Sequence, residues 1–448
     1  MKITKKEIIF LLLILIFSFL IRYWKIAQLP SNITGDEVNF LFESLKITEG
    51  RGASFWGLCE PSQQPCFNNY LISLFLKIFG LKKAILAIRS PSIILSALAL
   101  LPFYWLVRQH FSTFSSLLAA LLFTTSYWNL SFSRSAWNNI HLVFYFLMFI
   151  CFYENWWSTK RLRHLVAAGL LSGLMFYSYR VGKIFLLVPL VYSLVSFVFN
   201  RRSDFSKSVF RHFFSFLTVL VISLAMFLPQ LAFIIRNKQL FLLRPKVTLI
   251  FFKKEPADYH KMKTWSQVAS HQFQQTLRGV LFLDKVKRDD VENLRYLPNG
   301  SPFVDLGTRA LVLFGLFILL IKFTRLRLSF WIYAIYLVNF LISFISVEPP
   351  NSARLVMLLP IFYFLTGFSL DFLSQQKNFR VPLMVFCFIL VFLNLKVYFN
   401  WAGSETLRVA RMPALEASDL SLWLKFQVPA IPQNRFIEVD HQYLINLR

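Results

Sequence analysis

Eleven apolar stretches, each a candidate to cross a bilayer, organise this chain of 448 residues. They run at about 8–24, 90–107, 114–132, 137–153, 165–179, 184–200, 213–235, 306–321, 328–347, 355–370 and 381–399. A helical span needs roughly 17–25 predominantly apolar residues. In hydrocarbon every backbone N–H and C=O must be satisfied within the segment, so each stretch is predicted to be a helix. The middle of every stretch is free of Asp, Glu, Lys and Arg, and the charges gather at the ends. The first stretch ends in Arg22-Tyr23-Trp24, an interfacial anchor without a small-residue cleavage site, and reads as a retained span.

The short connections give the sidedness. Lys2, Lys5 and Lys6 precede the first stretch, and Arg108 follows the second. Lys160, Arg161 and Arg163 follow the fourth; Arg201, Arg202, Lys207 and Arg211 follow the sixth. Lys322, Arg325 and Arg327 follow the eighth, and Lys377 and Arg380 follow the tenth. All fall on one side, which the positive-inside rule makes cytoplasmic. The first loop (26–89), a long loop (236–305) and the tail (401–448) are then expected outside. The long loop is basic early and acidic later, and reads as a solvated surface on anionic lipid or, more sharply, as a gate for a substrate. The tail is too short to be expected as an independent domain.

Composition agrees with a membrane class. The chain is 56% hydrophobic, with 52 Phe, and only 16% charged, against about 25% in a soluble domain. The net charge of +26 would suggest nucleic acid in a soluble protein. Here it is read as cytoplasmic Lys and Arg plus contact with anionic lipid, with no nucleic acid as partner. Of four cysteines, Cys151 and Cys387 lie within spans and read as small core residues. Cys59 and Cys66 share the first outer loop, where an oxidising compartment would let them pair. No metal-ligand spacing occurs, so a divalent ion has no support from the residues.

The first outer loop carries the candidate chemistry. Thr34-Gly35-Asp36-Glu37 has the form of a capping box, Thr34-x-x-Glu37, followed by Val38, Leu41, Phe42 and Leu45 at helical spacing. A short helix lying on the membrane is predicted, with two carboxylates at headgroup level. The plain reading is that Asp36 and Glu37 complement the positive helix end. A second amphipathic helix follows Gln63-Gln64-Pro65-Cys66-Phe67-Asn68-Asn69-Tyr70-Leu71 and ends at Gly80. Other charges sit at the outer ends of spans: Arg134, Arg180, Lys183, Arg309, Glu348 and Arg354, with His141 about one turn inside. Each of these cations also reads as a snorkelling helix-end anchor, and His141 as a core histidine.

These pieces, in this order, resemble the family 39 glycosyltransferases of the GT-C superfamily, which include the protein O-mannosyltransferases and the lipid A aminoarabinose transferase. The resemblance is nearest to their bacterial relatives. It rests on Gly35-Asp36-Glu37 after the first span, the Gln64–Leu71 stretch, Phe132-Ser133-Arg134, and Gly173-Leu174-Met175-Phe176-Tyr177-Ser178-Tyr179-Arg180. It continues through Leu297-Pro298-Asn299-Gly300-Ser301-Pro302 to Glu348-Pro349-Pro350-Asn351-Ser352-Ala353-Arg354. Two departures stand out: Gln64 occupies a place where the family often has a basic residue, and no second acid lies near Arg134.

The resemblance implies an all-α polytopic bundle of about eleven spans over 1–400, with juxtamembrane helices in the first outer loop. It implies an inverting transfer of sugar from a polyprenyl phosphate to a protein, lipid or glycan, on the extracytoplasmic face of a bacterial plasma membrane. Asp36 is the expected base, with Glu37 supporting it or capping the helix. Arg134, Arg180, Lys183 and Arg354 are expected donor-phosphate ligands. Gln64, Asn69, Tyr70, His141 and Glu348 are expected in the pocket or at the acceptor. Three alternatives stay open: a lipid-linked glycan ligase or polymerase, a transporter or flippase of lipid-linked sugars, and a non-catalytic scaffold.

Overall fold

The computed structural model describes residues 4–31, 33–59, 64–199, 205–256, 262–281, 291–298, 301–321, 327–347, 349–404 and 406–407. Glu348 and all but the first few residues of the tail therefore lie outside the described residues, as do Lys2, Arg201, Arg202, Lys322 and Arg325.

Every apolar stretch read from the sequence is helical where it is described. The chain opens with α1 (Lys5–Tyr23), whose start is tied to the end of a later helix: Arg108 Nε donates to Glu7 Oε1 at 2.8 Å. The first loop holds α2 (Gly35–Thr48) and α3 (Phe67–Phe79). Then come α4 (Ala84–Leu98) and α5 (Leu100–Arg108), which together cover the second stretch. The third stretch is divided between α6 (Thr113–Thr125) and α7 (Tyr127–Ser133). Next are α8 (Asn139–Thr159), α9 (Leu162–Ser178), α10 (Leu187–Phe199) and α11 (Phe205–Arg236). The long loop contains α12 (Lys238–Thr248), α13 (Trp265–Val280) and α14 (Val291–Leu294). The chain finishes with α15 (Leu306–Ile321), α16 (Arg327–Phe344), α17 (Leu358–Ser374) and α18 (Arg380–Ala402).

By length and composition, Leu81–Arg108, Asn139–Thr159, Phe213–Arg236 and Lys377–Ala402 are each able to cross a membrane, and shorter apolar helices accompany them. One apolar core runs through the bundle and includes Trp128, Phe132, Phe146, Trp331 and Phe362. Large apolar side chains stay exposed along α1 (Phe10, Leu13, Leu20), α11 (Val221, Leu228) and α18 (Phe388, Phe392), the faces a bilayer would cover. Close helix approach uses small residues: Gly173 on α9 faces Met226 of α11, and Gly315 on α15 faces the Leu365 carbonyl of α17. A methyl group at either position would collide, as expected where lipid gives no hydrophobic drive and packing must be tight.

The two loop helices pack on the loop end of α4. Phe40 and Leu41 of α2 meet Ile72 and Leu76 of α3 and Ala87 and Ile88 of α4 in a small core of their own. Of the residues whose spacing predicts an amphipathic α2, Leu41 and Leu45 join this core, while Val38 and Phe42 pack with Ile33 and Ile85 in a second small cluster. Leu58–Cys59 and Gln64–Pro65 form a short antiparallel pair, and a disulfide joins Cys59 to Cys66, with Cα atoms 5.1 Å apart. The long loop is pinned to α16. Ile250 N–H donates to the Ile345 carbonyl (3.0 Å), Val347 N–H to the Thr248 carbonyl (3.0 Å), and Gln272 Nε2 to the Ser346 carbonyl (2.6 Å).

Candidate active site

The capping box forms as its spacing dictates. Thr34 Oγ1 accepts from Glu37 N–H at 3.2 Å, and Glu37 Oε2 accepts from Thr34 N–H at 3.0 Å. Glu37 does more than cap. Its Oε1 also accepts from Arg89 Nε of α4 at 2.9 Å and from Ala136 N–H at 3.2 Å, and the side chain is fully buried. Successive residues on a helix point about 100° apart, since 3.6 residues make a turn. Asp36 therefore faces elsewhere: it is half-buried and lines a cavity at the loop end of the bundle.

Three buried arginines hold the chain that leads to Asp36. Arg89 clamps Glu37 and also donates from NH1 to the Ile26 carbonyl at 2.9 Å. Arg134 follows α7, and its guanidinium donates to the carbonyls of Ile21, Arg22, Trp24 and Leu29 and to Tyr398 Oη. Arg22 donates to the Ser18 and Thr124 carbonyls and to both hydroxyls. Buried charge is tolerated only when it is hydrogen-bonded in this way. Arg134 was expected to hold a phosphate. The structure instead puts it at 0% exposure with its donors spent on backbone carbonyls, outside the cavity lining.

The cavity has a volume of about 310 Å³, at the lower end of ligand-pocket sizes. Asp36 and Gln64 come to it from the first loop, Trp137 from the α7–α8 link, and Tyr179, Arg180 and Lys183 from the segment after α9. Asn351, Ala353 and Arg354 come from the α16–α17 link. Asp36 is the one carboxylate among the described residues lining it. The sequence separates these groups by up to 318 positions, and the fold brings them to one cavity.

Lys183 Nζ donates to the Phe176 carbonyl at 3.2 Å. Its ammonium is pushed down to about 7, by burial first and by the neighbouring Arg180 second.

Other expected residues lie apart from the cavity. His141 is buried with Nε2 3.1 Å from Ser92 Oγ, a core position that fits the plain reading of it. Asn69 Nδ2 donates to the Phe40 carbonyl (3.4 Å), joining α3 to α2. Tyr70 Oη donates to the Ala53 carbonyl (3.0 Å) and its ring packs on Phe55. All three act in the described fold as packing and tethering groups. The long loop, read mainly as a lipid-surface segment, contributes Phe241, Pro245, Thr248, Leu249 and Tyr296 to the cavity. Trp137 is a further wall residue that the sequence reading passed over. Its one signal was position, three residues after the Phe132-Ser133-Arg134 motif.

A family model described as dolichyl-phosphate-mannose-protein mannosyltransferase matches residues 63–233. No curated protein sequence matches the chain. Among solved structures, ArnT from Cupriavidus metallidurans bound to undecaprenyl phosphate is similar at 13% identity and TM-score 0.56, over 99% of this chain and 84% of that one. The Archaeoglobus fulgidus oligosaccharyltransferase tethered with an acceptor peptide is similar at 15% identity and TM-score 0.55, over 94% of this chain and 57% of that one. The S. cerevisiae protein O-mannosyltransferase Pmt1–Pmt2 complex bound to the sugar donor shares 19% identity over 56% of this chain and 36% of that one, with a TM-score of 0.43. The chain thus spans between about a third and just over half the length of the yeast and archaeal proteins. At these identities the shared feature is the fold. With its helical bundle and helices able to cross a membrane, the chain is an all-α polytopic membrane protein that shares the fold of ArnT and of the archaeal oligosaccharyltransferase, and its segment 63–233 resembles the protein mannosyltransferase family.

Proposed function

We propose that this protein is a membrane glycosyltransferase. It moves a sugar from a polyprenyl-phosphate donor to a hydroxyl of a protein, lipid or glycan, on the extracytoplasmic face of a bacterial plasma membrane. One observation carries this reading: a single cavity joins the carboxylate of Asp36 to three cations, Arg180, Lys183 and Arg354. Asp36 takes the acceptor's proton, within reach of a general base. The acceptor oxygen bonds to the anomeric carbon from the face opposite the phosphate, and the anomeric C–O bond to phosphate breaks, which inverts that carbon. The electron pair leaves on the polyprenyl phosphate, where charge-assisted hydrogen bonds from the cations stabilise it. Phe241, Leu249, Ile342 and Ile345 give the cavity apolar walls suited to the first units of a prenyl chain.

Asp36→Asn tests the base. Thr34 and Glu37, not Asp36, make the cap, so the helix start is retained. Turnover of a polyprenyl-phosphate sugar by the purified, folded variant is expected to fall about 10²–10⁴-fold. Transfer within a few-fold of wild type would mean that Asp36 only complements the helix end.

A further inference from the structure

Trp137 sits on the cavity wall. Its indole is 7% exposed, and its Nε1–H has no hydrogen-bond partner among the described residues. A buried Trp N–H normally finds an acceptor, and leaving a buried donor unmade is costly. Trp128 and Trp401 have such an Nε1–H too, but Trp137 lines the cavity, so its missing acceptor has a place to come from.

The surroundings say which part of the substrate supplies it. Trp137 directly follows Ala136, whose N–H is bound to Glu37, the neighbour of Asp36. The link that carries Trp137 is thus tied toward the acid through Ala136 and toward Arg354 through Asn139, whose Nδ2 donates to the Ala353 carbonyl at 3.2 Å. In an in-line displacement the sugar lies between the base and the departing phosphate. Its ring must then pass the wall between the two. Trp137 meets Tyr296 edge-on at 5.0 Å, and Tyr296 stacks on Phe132 at 4.8 Å, which fixes both rings. A held aromatic face with one N–H at its rim matches a sugar, which presents C–H groups on its faces and oxygens around its edge.

We propose that Trp137 is a sugar-contacting residue: its Nε1–H donates to an oxygen of the transferred sugar, and the Trp137–Tyr296 pair forms the wall against which that sugar is held. The assignment rests on the glycosyltransferase reading given above and names the subsite for the sugar within it.

Trp137→Phe keeps an aromatic ring and removes the donor. Binding is measured with two probes, polyprenyl phosphate alone and a polyprenyl-phosphate-linked sugar, the latter taken from a panel of hexoses and pentoses as the one wild type binds best. The variant is expected to bind the sugar-bearing donor about three- to tenfold more weakly, as a lost neutral hydrogen bond requires, and to bind bare polyprenyl phosphate as wild type does. Its thermal melting should match wild type within a few degrees, which separates a lost contact from a loosened fold. Equal weakening for both probes would place Trp137 at the phosphate or in general packing and overturn the assignment, as would no weakening for either. A wild-type protein that binds bare polyprenyl phosphate and every panel member equally would overturn it too. A wild-type protein that binds none of the probes would overturn the glycosyltransferase reading itself.

Discussion

Two groups of cations lie near the first loop, and their charges meet different things. Arg22, Arg89 and Arg134 are at most 1% exposed and spend their donors on carbonyls, hydroxyls and the Glu37 carboxylate. Arg180, Lys183 and Arg354 are half-buried and border open space in the cavity. Cationic side chains close to the first loop thus sit in two settings. The first group fixes the backbone from Ile21 to Glu37; the second lines the cavity. The two carboxylates divide in the same way, Glu37 going to the buried lattice and Asp36 to the cavity. A charge at the end of a span is not in itself a candidate ligand; what distinguishes the second group is that it borders a cavity.

This division can be broken, and the largest expected effect is on folding. Glu37→Gln keeps the capping box but leaves Arg89 without a neighbouring negative charge. Arg89→Met does the converse to Glu37. Losing one member of a buried ion pair costs about 3–5 kcal/mol, so both variants should melt well below wild type in detergent, while Asp36→Asn should not. If Glu37→Gln and Asp36→Asn melt alike, the two carboxylates are not divided between lattice and cavity.

A smaller effect is expected on the cavity side. Arg180→Ala and Arg354→Ala should each leave melting nearly unchanged and weaken binding of a polyprenyl-phosphate donor. A charge-assisted hydrogen bond is worth roughly 1.5–3 kcal/mol, about tenfold or more in affinity. Donor titrations giving wild-type affinity for both variants would remove these cations from the phosphate site.

The smallest effect concerns pH. With its pKa lowered to about 7, Lys183 is charged below neutrality and loses its proton as pH rises through 7. A phosphodiester donor keeps its own charge over this range, so affinity should be greatest below pH 7 and fall about three- to tenfold toward pH 8. Lys183→Arg stays charged throughout and should flatten the profile. A flat profile in wild type would show that Lys183 does not meet the phosphate in its charged form.

Much of this was legible in the sequence, because the signals are local. Apolar run length marks the helices, since a helix in lipid satisfies its own backbone. The capping box and the Val38–Leu45 spacing mark α2 because caps and faces involve residues three or four apart. The cavity is partly legible too: Asp36, Gln64, Arg180, Lys183 and Arg354 stand out in the sequence and line one cavity. Asn69, Tyr70, His141 and Arg134 were singled out on the same grounds, and they serve the packing.

What separates these groups is long-range. The sequence alone determined a polytopic helical protein, the helix at Gly35 and a set of polar residues at the span ends, all by short spacings and composition. Only the tertiary structure decided that Glu37 meets Arg89, 52 positions away, and that Arg134 reaches back to Ile21 through Leu29. It alone brought the long loop, through Thr248 and Tyr296, to the cavity that Asp36 lines. The physical reason is that a polar side chain becomes structural or available according to whether distant groups saturate its hydrogen bonds. No property of its neighbours in sequence carries that information.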